Sequence, residues 1–409
     1  MGLLRDHPDF RRLWVGDVLS KAGSQVLLLA VPVLAATTLD ASTWQVGLLS
    51  ALAGLPYLLF GLPIGAWSDR VRRRPVLVAA DAARAVALAW IPLAALIGVL
   101  AIEQLYAVQF VAGTAAAVFD VSLGAYLPFL VGRGRLVEAN GALEANRAVT
   151  FTLGPGLAGQ LVAWLGAATA VVASVAGFLW SALWLGLIRS AEPVRPPAPS
   201  RHLGREIREG IRLTLGQPFI RATTLHATSV VLFLSMRYAI ETLFLLRTVG
   251  LSPSTIGLLM VGPGVGSVAG AATAARIARR AGRVRAVLLA GLVMGAAGLL
   301  IPLAADGARL ACYVVGAAVV SFSIAVTNVT AASLRQVLCP DELLGRMNAT
   351  SRFLAWATLP LGGIAGGALG TVLGLRAALW VAAAGAAASA FWLLSARVMR
   401  ARDLAAEAD

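Results

Sequence analysis

From Trp14 to Ala396 the chain alternates apolar runs long enough to cross a bilayer with short polar gaps. A hydrocarbon core of about 30 Å needs about 20 residues of helix. Lipid gives backbone N–H and C=O groups no partners, so the runs must be helical. Twelve spans are predicted, over residues 13–37, 44–68, 75–99, 104–130, 138–163, 166–188, 219–246, 254–277, 285–304, 308–334, 343–370 and 374–396. Several exceed a straight crossing, and tilt or extension into the headgroups absorbs the excess. The expected fold class is an all-α membrane protein of twelve transmembrane helices.

The longest polar stretch lies between Arg189 and Gln217. It opens with the proline-rich run Glu192 to Pro199, which reads as a stiff linker. Leu203, Ile207, Ile211 and Leu215 then recur at helical spacing among charges, the pattern of an amphipathic helix on the membrane surface. This divides the chain into a six-helix bundle over 1–188, a cytoplasmic linker over 189–217 and a second six-helix bundle over 218–409. The halves repeat one another. Gly47-Leu48-Leu49 and Gly257-Leu258-Leu259 open spans 2 and 8, Arg70 and Arg73 match Arg280 and Arg283, and Arg147 and Pro155 match Arg352 and Pro360. Six spans per half make these parallel pseudo-repeats, a class whose substrate sites lie near mid-membrane between the repeats.

Composition narrows the class. Hydrophobic residues make up 59% of the chain and charged ones 13%, too little charge to cover a soluble protein of this size. The net charge of +14 is not a nucleic-acid signature, because most of the 34 basic residues crowd the N-terminus, alternate loops and the C-terminus. The intervening loops hold Arg247, Arg309 and Arg376. This positive-inside bias puts both termini in the cytoplasm. No cleavable signal peptide is evident. Cys312 and Cys339 fall at opposite membrane faces, which excludes a disulfide between them.

The loop after span 2 carries Gly65, Asp69, Arg70, Arg73, Arg74 and Leu77 at the positions of G-x-L-A-D-R-x-G-R-K-x-x-L, with Trp67, Ser68 and Arg72 departing from it. It resembles the signature of the major facilitator superfamily, and a degenerate copy with Arg279 in place of the aspartate follows span 8. In span 5, Gly141, Gly154, Pro155 and Gly159 resemble that superfamily's antiporter motif, with Thr150 and Ala158 replacing two glycines. Phe10 to Trp14, Asp81, Arg84, Phe119-Asp120, Tyr126-Leu127-Pro128, Ala139-Asn140-Gly141 and Pro340 to Arg346 resemble the bacterial 12-span drug:proton antiporter branch that includes macrolide and enterobactin exporters. The resemblance implies the major facilitator fold, a bacterial cytoplasmic membrane and efflux of a small amphipathic molecule driven by proton entry. The R-x-x-x-G arginine common in span 4 of drug antiporters is missing.

Ionisable groups at membrane depth are expensive and therefore functional suspects. Asp17 and Lys21 lie one turn apart in span 1, and Asp120 sits mid-span 4 with no partner along its own helix. Asp120, then Asp17 and Glu241, are the candidate proton carriers; a carboxylate fixing helix packing is the alternative for Asp120. Arg237 and Glu241 pair by spacing in span 7, as an outer latch, a cavity wall or a self-neutralising pair. Lys21, Arg237, Phe233, Tyr238, Phe322, Thr327, Asn328 and Trp356 are the candidate cavity lining, although aromatics facing lipid would read the same. Gly65, Asp69, Arg70, Arg73, Arg74, Asp81, Arg84, Glu144, Arg147 and Arg352 form the expected cytoplasmic gate. Gly141, Gly154, Pro155 and Gly159 are the expected packing face of span 5. His226 reads as structural.

No metal cluster, Walker loop or nucleophile elbow is present, so neither an enzyme nor a cofactor is expected, and energy must come from a gradient. The expected partners are a small-molecule substrate and membrane lipids, with a monomeric chain and no nucleic acid. A lipid or lysolipid flippase of the same fold, or a non-transporting membrane scaffold or sensor, are the competing readings.

Overall fold

The computed structural model describes residues 2–68, 70–190, 192, 212, 216–338, 350–351 and 353–394. Asp69, Arg352, Cys339, the Pro340 to Arg346 motif, the proline run over 193–199 and all but Arg212 of the predicted surface helix lie outside them.

Twelve described helices are long and apolar enough to cross a membrane. In chain order they are Pro8–Thr37, Thr43–Gly61 (its helix runs on to Ser68), Arg73–Leu96, Ile102–Val131, Leu136–Leu165, Ala167–Gly186, Pro218–Thr248, Pro253–Ala281, Arg283–Leu303, Gly307–Leu334, Phe353–Val372 and Leu375–Trp392. These are spans 1 to 12. Most boundaries agree with the hydropathy reading to within a turn. Span 1 starts earlier than its apolar run, because the His7 ring accepts from Phe10 N at 3.1 Å and Pro8 stands in the first turn. Span 8 is two helices, Pro253–Leu259 and Val261–Ala281, and span 7 ends in a π turn over Phe244–Thr248. Gly166, at φ 79°, turns span 5 directly into span 6, a left-handed backbone that favours glycine.

The described residues form two compact units, one within Met1–Ser200 and Leu251–Val261, the other within Arg201–Gly250 and Gly262–Asp409. In the first, span 1 packs on spans 5 and 6, span 3 on spans 4 and 6, span 2 on span 4, and Pro253–Leu259 on span 5. In the second, span 9 packs on spans 10 and 12, and span 7 on spans 11 and 12.

Without water to drive association, helices in lipid rely on close backbone approach at small residues. A Cβ added at Gly23 would stand 3.0 Å from Ser174 Cα, and the Ser174 hydroxyl donates to Gly23 O at 2.8 Å. Gly16 meets Ser181 in the same way two turns earlier, at 3.3 Å. These crossings fix the rotation of span 1 against span 6. Gly266 and Gly270 do the same against Ala318 and Phe322 in the second unit.

The antiporter-motif face of span 5 is used unevenly. A Cβ at Gly159 would lie 2.7 Å from Pro253 O and 3.0 Å from Gly257 Cα, and one at Gly154 would press the Gln25 side chain of span 1. Pro155 is buried beside them, whereas a Cβ at Gly141 would meet nothing within 4 Å. Gly159→Val is therefore expected to lower stability by about 1–3 kcal/mol through overpacking against backbone. Gly141→Val should leave the melting temperature of the purified protein near that of the parent. Equal melting of both variants would refute the close crossing.

Candidate functional site

The first unit gathers charged side chains at two depths. Towards the signature loop, the four arginines after span 2 divide into two kinds. Arg73 is 3% exposed, and its guanidinium donates to Glu192 Oε1 at 3.0 Å while its backbone N–H donates to Glu192 Oε2 at 2.6 Å. Arg74 donates from Nε to Leu185 O at 3.1 Å and from Nη2 to Gly186 O. A helix C-terminus leaves carbonyls without intrahelical partners and carries partial negative charge, so Arg74 answers both needs for span 6. Arg70 and Arg72 are exposed. Asp9, at the start of span 1, holds the chain leaving span 6 by accepting from Ser190 N at 2.8 Å, Ser190 Oγ at 2.5 Å and Arg189 N at 3.2 Å. Beneath lies an apolar cluster of Phe10, Leu13, Leu77, Phe119, Tyr126 and Leu185.

Deeper in the unit, Lys21 Nζ stands 3.1 Å from Asp17 Oδ1, and Asn146 of span 5 donates to Asp17 Oδ2 at 3.2 Å. Asp17 is 3% exposed, so both lone-pair sets of a buried carboxylate are answered. Arg84 reaches Asp81 Oδ1 at 3.4 Å and Ser24 Oγ at 3.2 Å, and its guanidinium lies 3.8 Å above the centre of the Phe178 ring. Asp81 is fully buried. Asp120 accepts from the Tyr57 hydroxyl at 2.6 Å, a charge-assisted bond from span 2 to span 4. Asp120 itself is exposed on the unit, and it lies within electrostatic reach of Asp17. Spans 1 to 4 thus present Asp17, Lys21, Tyr57, Asp81, Arg84 and Asp120 as one polar cluster at membrane depth.

Other expected gate members stand apart. Glu144 and Arg147 pair with each other at 3.8 Å, but both side chains are about 70% exposed, and such pairs contribute little. A Cβ on Gly65 would meet nothing within 4 Å.

In the second unit Arg237 and Glu241 are 3.6 Å apart and both buried, with Arg237 4.6 Å from the Tyr238 ring centre and Tyr313 beside Glu241. Phe233 joins Arg237 in lining a small pocket with Met294, Val320 and Leu379. Phe322 packs on Ala274, Ala290 and Val326. Tyr238 and Asn328 are exposed, and Thr327 and Trp356 are half-buried. His226 is buried and bonded to Ser389 O at 3.1 Å, which agrees with a structural role. Among the described residues no cluster of histidine, cysteine and acidic side chains has the makings of a metal site.

Tyr57, Asn146, Ser24, Phe178, Glu192 and Tyr313 were not legible as site residues. Tyr57 carried the best signal: a phenol at membrane depth needs a hydrogen-bond partner, and few acceptors are available there.

The sequence model described as transmembrane secretion effector matches residues 4–409. The chain is 28% identical over 401 residues to the enterobactin exporter EntS of Escherichia coli O139:H28 and of Shigella boydii serotype 18, covering 96% of this chain and 91% of those proteins. Its fold is similar to that of the nucleoside transporter NupG (TM-score 0.73, 11% identity, 95% and 98% of the two chains). It is also similar to a bacterial homologue of the iron transporter ferroportin (TM-score 0.76, 18% identity, 96% and 99%).

Proposed function

The chain belongs to the transmembrane secretion effector family of major facilitator secondary transporters, and from that premise we propose that it exports a small amphipathic molecule in exchange for protons. Export is supported by likeness to the enterobactin exporters over almost the whole chain. Proton exchange is supported by one observation above others: a carboxylate at membrane depth, Asp120, exposed on its unit and held by a phenol rather than by a cation. A carboxylate whose partner is a neutral hydroxyl can exchange a proton without breaking an ion pair. Asp17 and Asp81, by contrast, each have a cationic partner, Lys21 and Arg84.

On this reading transport proceeds by alternating access, and protonation biases one state because the proton binds that state more tightly. Arg73, Arg74, Asp81, Arg84 and the loop around Asp69 work as the cytoplasmic gate. Both termini face the cytoplasm of a bacterial cell, and a single chain suffices.

The test uses inside-out vesicles from cells producing the protein, loaded through an imposed pH gradient with a panel of fluorescent amphipathic compounds and catecholates. Accumulation of at least one compound that collapses on adding a protonophore is expected. Accumulation insensitive to the protonophore would reject proton exchange. Movement of labelled phospholipid in place of the panel would favour a flippase.

A further inference from the structure

The surface of the first unit carries an apolar groove of about 750 Å³ between spans 2, 3 and 4, lined by Phe60, Trp67, Ala79, Ala83, Phe110 and Val111 among others. Its walls are nearly free of polar atoms. From Phe60 to Trp67 the groove runs seven residues along span 2, about 10 Å at the helical rise. That covers much of one leaflet of a hydrocarbon core about 30 Å thick.

One end of the groove is chemically distinct. Trp67 ends the wall from span 2 and Pro75 begins the wall from span 3, so the loop joining them crosses the mouth. That loop holds Arg70 and Arg72, both exposed, and neither side chain makes a hydrogen bond or ion pair among the described residues. The adjacent Arg73 and Arg74 are spent on Glu192 and on the end of span 6. An apolar trough covering much of a leaflet, ending at two cations whose side chains have no partner among the described residues and lying beside an interfacial tryptophan, has the shape and charge of a phospholipid turned inside out.

We propose that this groove binds one anionic phospholipid, its acyl chain lying along Ala79 and Ala83 and its headgroup phosphate between Arg70 and Arg72. A zwitterionic lipid fills the groove equally well but gains less from two guanidinium groups, each giving about a fivefold preference for negative charge at the membrane surface. The site does not depend on what the protein transports.

Spin-label spectroscopy tests this on the full chain reconstituted in phosphatidylcholine vesicles, doped with chain-labelled phosphatidylglycerol or chain-labelled phosphatidylcholine. The immobilised fraction should be larger for phosphatidylglycerol. R70Q/R72Q should bring the two labels together, R70K/R72K should keep them apart, and Ala79→Trp, which fills the trough and leaves the charge, should release the immobilised phosphatidylglycerol. Equal fractions in the parent protein overturn the proposal. So does a preference that survives R70Q/R72Q, or one lost there but untouched by Ala79→Trp, which would mean headgroup attraction without a groove. Thermal melts of each variant in the same vesicles separate loss of the site from loss of the fold, and R70K/R72K carries the comparison if the glutamine variant melts early.

Discussion

Asp120→Asn is expected to abolish proton-coupled efflux while leaving the protein inserted and folded. Asparagine keeps the shape and can still accept from the Tyr57 hydroxyl, which now stands 2.6 Å from Asp120 Oδ2. It cannot gain or lose a proton. Asp120 is exposed on its unit, so the swap leaves no buried charge or cavity, and its effect on stability should stay within about 0.5 kcal/mol. Efflux driven by a pH gradient in proteoliposomes should fall to the rate of empty vesicles, while equilibrium exchange of substrate across the same membranes persists. Tyr57→Phe in the same assay should slow efflux by about tenfold, the equivalent of a charge-assisted hydrogen bond of about 1.5 kcal/mol. Undiminished coupled efflux by Asp120→Asn would move the coupling role to another carboxylate, with Asp17 and Glu241 next in line.

Arg84→Met should be among the most destabilising single changes in the first unit. Methionine would keep most of the length and can lie against Phe178, so packing is largely retained while the cation–π contact of the guanidinium is lost. The larger loss is the counter-charge of Asp81, which is fully buried and hydrogen-bonded to Arg84 at 3.4 Å. Removing one member of a buried pair leaves the other uncompensated, at a cost of about 3–5 kcal/mol. Asp81→Asn/Arg84→Met, removing both charges, should recover most of that loss. The check is thermal unfolding of the parent and the two variants in detergent. If the double variant melts no higher than Arg84→Met, the pair does not stabilise the fold through charge neutralisation.

These two sites also show what could and could not be read from the chain. The spans were legible because a bilayer imposes a length on every apolar run. The pairs Asp17–Lys21, Asp81–Arg84 and Arg237–Glu241 were legible because residues three or four apart share a helix face. Partners on other helices were not. Asn146 at Asp17, Ser24 at Arg84 and Tyr57 at Asp120 depend on the rotation of each helix about its axis. That rotation is set by contacts such as Gly23 on Ser174 and Gly159 on Gly257, and small residues are too common in these spans to announce which of them meet. Uneven use of the span 5 motif has the same origin: Gly141 and Gly159 look alike in the sequence, and only one of them touches another backbone.

Glu192 belongs to the connecting segment by sequence and to the first bundle by bonding, since Arg73 closes on it through both backbone and side chain. The tether between the halves is therefore not an inert rope that chimeras can exchange freely. A recombinant that borrows a relative's connecting segment also inherits or loses one jaw of the clamp at the signature loop, and crossover points chosen at Arg189 and at Pro193 are different experiments.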